Sequence, residues 1–184
     1  MKNLLFKLLF LSLILSQLNL FAQQNWKLES EKDGMKVSTR FKSDSPIKEL
    51  KIEFEIDASL SQLVALLNDV DYYTDWVYNC NKANFVEKVA LGDFYYYVEM
   101  GLPWPLSNRD LVQHCMQSQD TSNLVVEMHT LTEKTDEKFK ETESNVRITE
   151  GYILWRLSPI SYNKTHVYYH LKTDPGGNLP AWLF

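Results

Sequence analysis

At 184 residues, with 45% hydrophobic and 23% charged side chains, the chain has the length and composition of one folded domain, not of a disordered tail. The formal net charge is −5; removing an N-terminal leader that carries Lys2 and Lys7 leaves 17 basic against 24 acidic residues, a net −7. That balance excludes a general electrostatic attraction to nucleic acid or to anionic bilayers, so any membrane contact is expected to be hydrophobic and transient.

Residues 1–22 read as a cleavable signal peptide. Lys2 and Lys7 form a basic start, Leu8 to Leu15 (LLFLSLIL) an apolar stretch, and Ala22 a small residue at the cleavage point. The unbroken apolar run is shorter than the ~18 residues of a membrane span, and Gln17 and Asn19 interrupt its far end. The expected product is an exported domain, 23–184: periplasmic in a cell with an outer membrane, otherwise secreted. Export permits a disulfide, but Cys80 and Cys115 are equally explained as small buried hydrophobes, and free thiols are the expectation.

Lys27 to Arg40 reads as two short elements around the turn signal Asp33-Gly34. Ile47 to Ile56 alternates, with Ile52, Phe54 and Ile56 on one face and Lys51, Glu53 and Glu55 on the other, as in a half-buried strand. Ser59 can cap a helix whose apolar face is Leu60, Leu63, Val64 and Leu67. Further strands are expected at Phe94–Met100, Asp110–Met116, Leu124–Leu131, Val146–Ile148, Tyr152–Leu157 and Thr165–Thr173. In Phe94–Met100, Phe94, Tyr96 and Val98 share one face, and Tyr95, Tyr97 and Glu99 the other, which the carboxylate marks as outer or headgroup-facing. In the last strand, Val167, Tyr169 and Leu171 form the apolar set and His166, Tyr168, His170 and Lys172 the mixed one. The charged run Thr132–Asn145 reads as a solvated loop. Strands in series with short polar turns imply an α+β fold with one antiparallel sheet and helices at the ends of the sequence. Asn178 and Pro180 resemble a helix start that Ala181–Phe184 continue for only a few residues.

Four segments, in order over residues 26–184, carry a family resemblance. They are Leu67-Asn68-Asp69-Val70 through Asp75-Trp76-Val77 to Cys80; Leu102 to Val112 (LPWPLSNRDLV); Gly151-Tyr152 with Trp155 and Pro159; and Asp174-Pro175-Gly176-Gly177 running into Leu179-Pro180-Ala181-Trp182. Together they resemble the START (steroidogenic acute regulatory protein-related lipid transfer) family. The resemblance implies a helix-grip fold: a curved antiparallel sheet around an apolar cavity, closed by a long C-terminal helix of which this chain holds only the first residues. It also implies noncovalent binding, and transfer, of a lipid or other hydrophobic molecule without a cofactor. A chain lacking that cover is expected to be marginally stable and to bind hydrophobic dyes.

Cavity or gate candidates are Trp76, Tyr96, Val98, Trp104, Arg109, Trp155, Tyr169 and Trp182. Trp104, between Pro103 and Pro105, reads either as a gate loop touching lipid or as a packed connection between strands. Arg109 and Asp110 are adjacent on a strand and point to opposite faces; one could meet a polar head group, but structural pairing is the stronger expectation. His166 and His170 lie too far apart on a strand for one metal ion, and no G-x-S-x-G or G-x-G-x-x-G motif is present. The alternative functions are a cyclase- or hydratase-like enzyme of the same superfamily acting on a hydrophobic substrate, and a structural module with a collapsed pocket.

Overall fold

The computed structural model describes residues 25–42, 45–134 and 144–177. The signal-peptide segment, most of the charged run, and Asn178–Phe184 with Trp182 lie outside the described residues, as do the expected lid helix and its cap.

Ten strands form one sheet: β1 (Lys27–Lys32), β2 (Met35–Lys42), β3 (Ser45–Ile56), β4 (Cys80–Ala90), β5 (Asp93–Met100), β6 (Arg109–Gln119), β7 (Val126–Glu133), β8 (Val146–Arg147), β9 (Gly151–Ser161) and β10 (Lys164–Thr173). The strand order is β1-β2-β3-β10-β9-β7-β6-β5-β4, antiparallel throughout, while the short β8 runs parallel to β6. β1 and β2 meet at Asp33 (φ 50°) and Gly34 (φ 79°); two consecutive left-handed residues make the tight hairpin turn whose twist matches the strands it joins.

Between β3, mid-sheet, and β4, at the far edge, the chain folds as α1 (Leu60–Asn68), a single 3-10 turn (Val70–Tyr72) and α2 (Tyr73–Trp76). Ser59 caps α1 in a reciprocal box: its hydroxyl accepts from the Gln62 amide at 3.3 Å while the Gln62 side chain accepts from the Ser59 amide at 2.9 Å. The apolar face anticipated from the spacing, Leu60, Leu63, Val64 and Leu67, packs against the main core. The described helices thus interrupt the strand series after β3 instead of flanking it. They carry the chain from mid-sheet to the far edge, and this crossing covers the concave face.

β4 was not anticipated, and its pairing with β5 shows why. The register slips between Cys80 and Lys82, between Phe85 and Glu87, and between Lys88 and Ala90. Each bulge adds an unpaired residue and resets the alternation, so no run of period two survives in the sequence. The anticipated alternations in β5 and β10 hold. Phe94, Tyr96 and Val98 are buried toward the core, as is Val167, while Tyr95 stacks on His114 on the opposite face.

Candidate functional site

The concave face and the crossing helices line a pocket of about 290 Å³. The sheet contributes Tyr96 and Val98 from β5, Leu111 and Gln113 from β6, and Trp155 and Tyr169 from β9 and β10. The helical crossing supplies Leu67, Tyr73, Trp76 and Val77 opposite them. Alternation explains the sheet contributions: Val98 pairs with Leu111, Tyr96 with Gln113, and Trp155 with Tyr169, each pair directly across neighbouring strands and on one face.

The wall is aromatic and internally braced. Trp155 and Tyr169 lie 4.4 Å apart between ring centroids, Tyr73 meets Trp76 edge-on at 5.4 Å, and Tyr73 meets Tyr96 edge-on at 5.8 Å. The Tyr73 hydroxyl donates to the Leu67 carbonyl at 2.5 Å, tying α2 to the end of α1. Burial raises the pKa of each of these phenols. Tyr169 is pushed up to about 12, and Tyr73 and Tyr96 are raised as well, because the phenolate would be stripped of water. All three are therefore neutral near pH 7. No aspartate, glutamate, lysine, arginine or histidine lines this pocket among the described residues.

Of the candidates read from sequence, Trp76, Tyr96, Val98, Trp155 and Tyr169 stand in this wall. Trp104 and Arg109 do not, and Trp182 lies outside the described residues. Trp104 is 93% exposed, on the loop between β5 and β6. It is neither a packed connection nor part of the wall. Arg109 is buried, but its guanidinium is spent on backbone: it donates to the carbonyls of Pro175 (3.0 Å), Gly176 (3.1 Å) and Ser107. It anchors the turn after β10 and is not free to meet a head group. Asp110, on the opposite face, pairs with Arg147.

Sequence reading passed over Gln113. The available signal was parity: Leu111, Gln113 and Cys115 share one face of β6, so an amide occupies a position where the neighbours on either side are apolar. Cys80 and Cys115 are free and buried. They face Met100 and Phe94 on β5, six residues or ~20 Å apart along the strand, far beyond disulfide reach. The histidines are dispersed: His114 contacts Asp93 at 2.6 Å, His129 contacts Glu127 at 3.1 Å, and His170 contacts Glu49 at 2.9 Å.

Three comparisons bear on this architecture. An uncharacterised protein of Pseudomonas aeruginosa is 28% identical over 160 residues, covering 87% of this chain and 77% of the relative. Phosphatidylcholine transfer protein from Bos taurus is 26% identical over 164 residues, covering 86% of this chain and 74% of the relative. A STAR-related lipid transfer protein from Xanthomonas axonopodis superimposes with a TM-score of 0.77 at 26% identity, covering 86% of each chain. The curved antiparallel sheet with its crossing helices is the helix-grip arrangement of these proteins. The family model described as START domain matches residues 11–184, and the chain belongs to the START domain family.

Proposed function

We propose that this chain binds one lipid or other hydrophobic molecule noncovalently in the pocket on the concave face, and carries it between membranes outside the cytoplasm. The observation that carries this reading is the wall itself: aromatic and aliphatic side chains from four strands and two helices converge on one space, with an amide and hydroxyls but no ionised group among the described residues. Burying a hydrocarbon there gains about 0.8 kcal/mol per methylene. Two of the relatives are named as lipid transfer proteins, which favours the same class of cargo. A lining without histidine, carboxylate or amine suits holding a molecule better than transforming it.

Transient membrane contact fits the rim. Tyr78 and Trp104 are 85% and 93% exposed, and because Cys80 pairs with Met100 they stand at the same end of β4 and β5. Exposed Trp and Tyr side chains partition to the lipid–water boundary without any need for basic charge. Export rests on the leader pattern of residues 1–22.

Native mass spectrometry of protein purified from its source cell tests the binding reading. It should show a mass excess that extracts into organic solvent as lipid. N-terminal sequencing of the same material should begin near Gln23. Protein that is ligand-free under gentle ionisation and takes up no lipid from vesicles would overturn the first proposal, and a mature chain beginning at Met1 the second.

A further inference from the structure

One part of the pocket wall is polar and unused by the fold. Gln113 sits mid-β6, 4% exposed, between Tyr96 on β5 and Thr132 on β7, its direct cross-strand partners. Tyr96 has Thr130 as a hydrogen-bond partner. The Gln113 carboxamide and the Thr132 hydroxyl bond to no side chain or backbone group among the described residues; both open on the pocket. Next to Thr132 stands Gly151 on β9, where a Cβ would overlap the Thr132 hydroxyl. The absence of a side chain at Gly151 lets the Thr132 hydroxyl lie against its backbone at the pocket wall. Neither group is a fully buried atom left without a partner; both face the pocket space, and a ligand that displaces water from them must replace its hydrogen bonds.

The chemistry of these two groups restricts what can bond them. A carboxamide offers two donors and one acceptor atom, and a hydroxyl one of each, so they match an alcohol, or the carbonyl of an ester or amide. Neither neutralises charge. Arg109, two inward positions along β6 from Gln113, is already committed to the carbonyls of Ser107, Pro175 and Gly176. An ionised head group drawn to this depth would therefore be desolvated with no counter-charge among the described residues.

We infer that Gln113 and Thr132 select a ligand whose buried end carries an uncharged hydroxyl or carbonyl group, and reject one that would place an ionised group there. This rests on the lipid-binding reading and narrows it to a class.

Three probes sharing one oleoyl chain isolate the head group: 1-monooleoylglycerol, oleate at pH 8, and oleoyl lysophosphatidylcholine. Binding to the full chain is read from the emission of Trp76 and Trp155 in the wall. Monooleoylglycerol should bind at least roughly tenfold tighter than either charged probe, and Gln113→Leu should weaken it roughly fivefold to tenfold, the worth of one buried neutral hydrogen bond, while changing oleate by less than about twofold. Thr132→Val, which keeps the side chain's shape, should give a smaller loss in the same direction and stands in should Gln113→Leu fail to fold. Equal or tighter binding of oleate or lysophosphatidylcholine by the wild type, or an unchanged head-group ratio in the variants, overturns the inference while leaving lipid binding intact. Failure of all three probes to bind overturns both.

Discussion

Asp110 and Arg147 form a two-point ion pair across β6 and β8, Nε to Oδ1 at 2.9 Å and Nη2 to Oδ2 at 2.9 Å, with side chains only 1% and 4% exposed. The Tyr97 hydroxyl donates to the same carboxylate at 3.3 Å. β8 has two residues in its pairing with β6, so this contact does much of the work of holding the segment in place. Removing one partner strands the other charge. Arg147→Met should cost ~3–5 kcal/mol, and Asp110→Asn combined with Arg147→Met should recover a substantial part of it. Urea denaturation of the four proteins of this cycle measures the coupling.

Arg109 holds the turn that follows β10 by giving its planar donors to three carbonyls. A lysine cannot reproduce that fork. Arg109→Lys should cost ~1–3 kcal/mol and raise amide hydrogen exchange at residues 174–177 more than elsewhere. A uniform rise in exchange across the sheet would show that the anchor is global.

Gly151 pairs with Thr173, and a Cβ there would also approach the Thr173 hydroxyl to 3.2 Å, besides overlapping Thr132. Gly151→Val should destabilise by ~1–3 kcal/mol through overpacking. It should also reduce uptake of hydrophobic ligand, since the side chain projects into the pocket. A variant of unchanged melting temperature and ligand uptake would show that the packing of Thr132 and Thr173 around Gly151 yields freely.

Alkaline pH should destabilise the protein through its buried weak acids, Cys115 and Tyr169 among them. Burial raises Cys115 from 9.0 to about 11 and Tyr169 from 10.0 to about 12. Each folded-state value lies above its unfolded one, so the native state holds its proton more tightly. The associated stability is complete below pH 9 and is lost as pH climbs through 9–11 for the thiol and 10–12 for the phenol. Each group steepens the loss by at most about 1.4 kcal/mol per pH unit. Melting temperature should fall increasingly steeply above pH 9, and Tyr169→Phe should flatten the curve between pH 10 and 12 without altering it at pH 7–8.

Much of the fold follows from local pattern. Residues alternating along β5 and β10 must face alternately, and one side of the sheet is buried, so Tyr96, Val98 and Tyr169 were assigned to the correct side before any partner strand was known. Ser59 marked the start of α1 for the same reason, since capping is local; the structure adds Gln62 as its reciprocal partner. The ordered motifs from Leu67 to Trp182 carried the family resemblance, which the family match over residues 11–184 bears out.

Tertiary structure decided what depends on distant partners. Three bulges against β5 define β4, so its alternation exists only in the paired sheet. Sequence favoured a structural role for Arg109 and left Trp104 open between a gate loop and a packed connection; what surrounds them decided both, since carbonyls 66 and 67 residues away capture the guanidinium, and the indole is 93% exposed among the described residues. Gln113 gained its significance the same way, because a polar side chain on an inward face is unremarkable until every neighbour that could bond it is in place. The periodicity of a sequence determines which way a side chain points, since that is set by the backbone a few residues either side. Whether the side chain arrives beside a partner, in solvent or against an open pocket is set by strands far along the chain, and here it is those strands that leave the amide of Gln113 facing the ligand space.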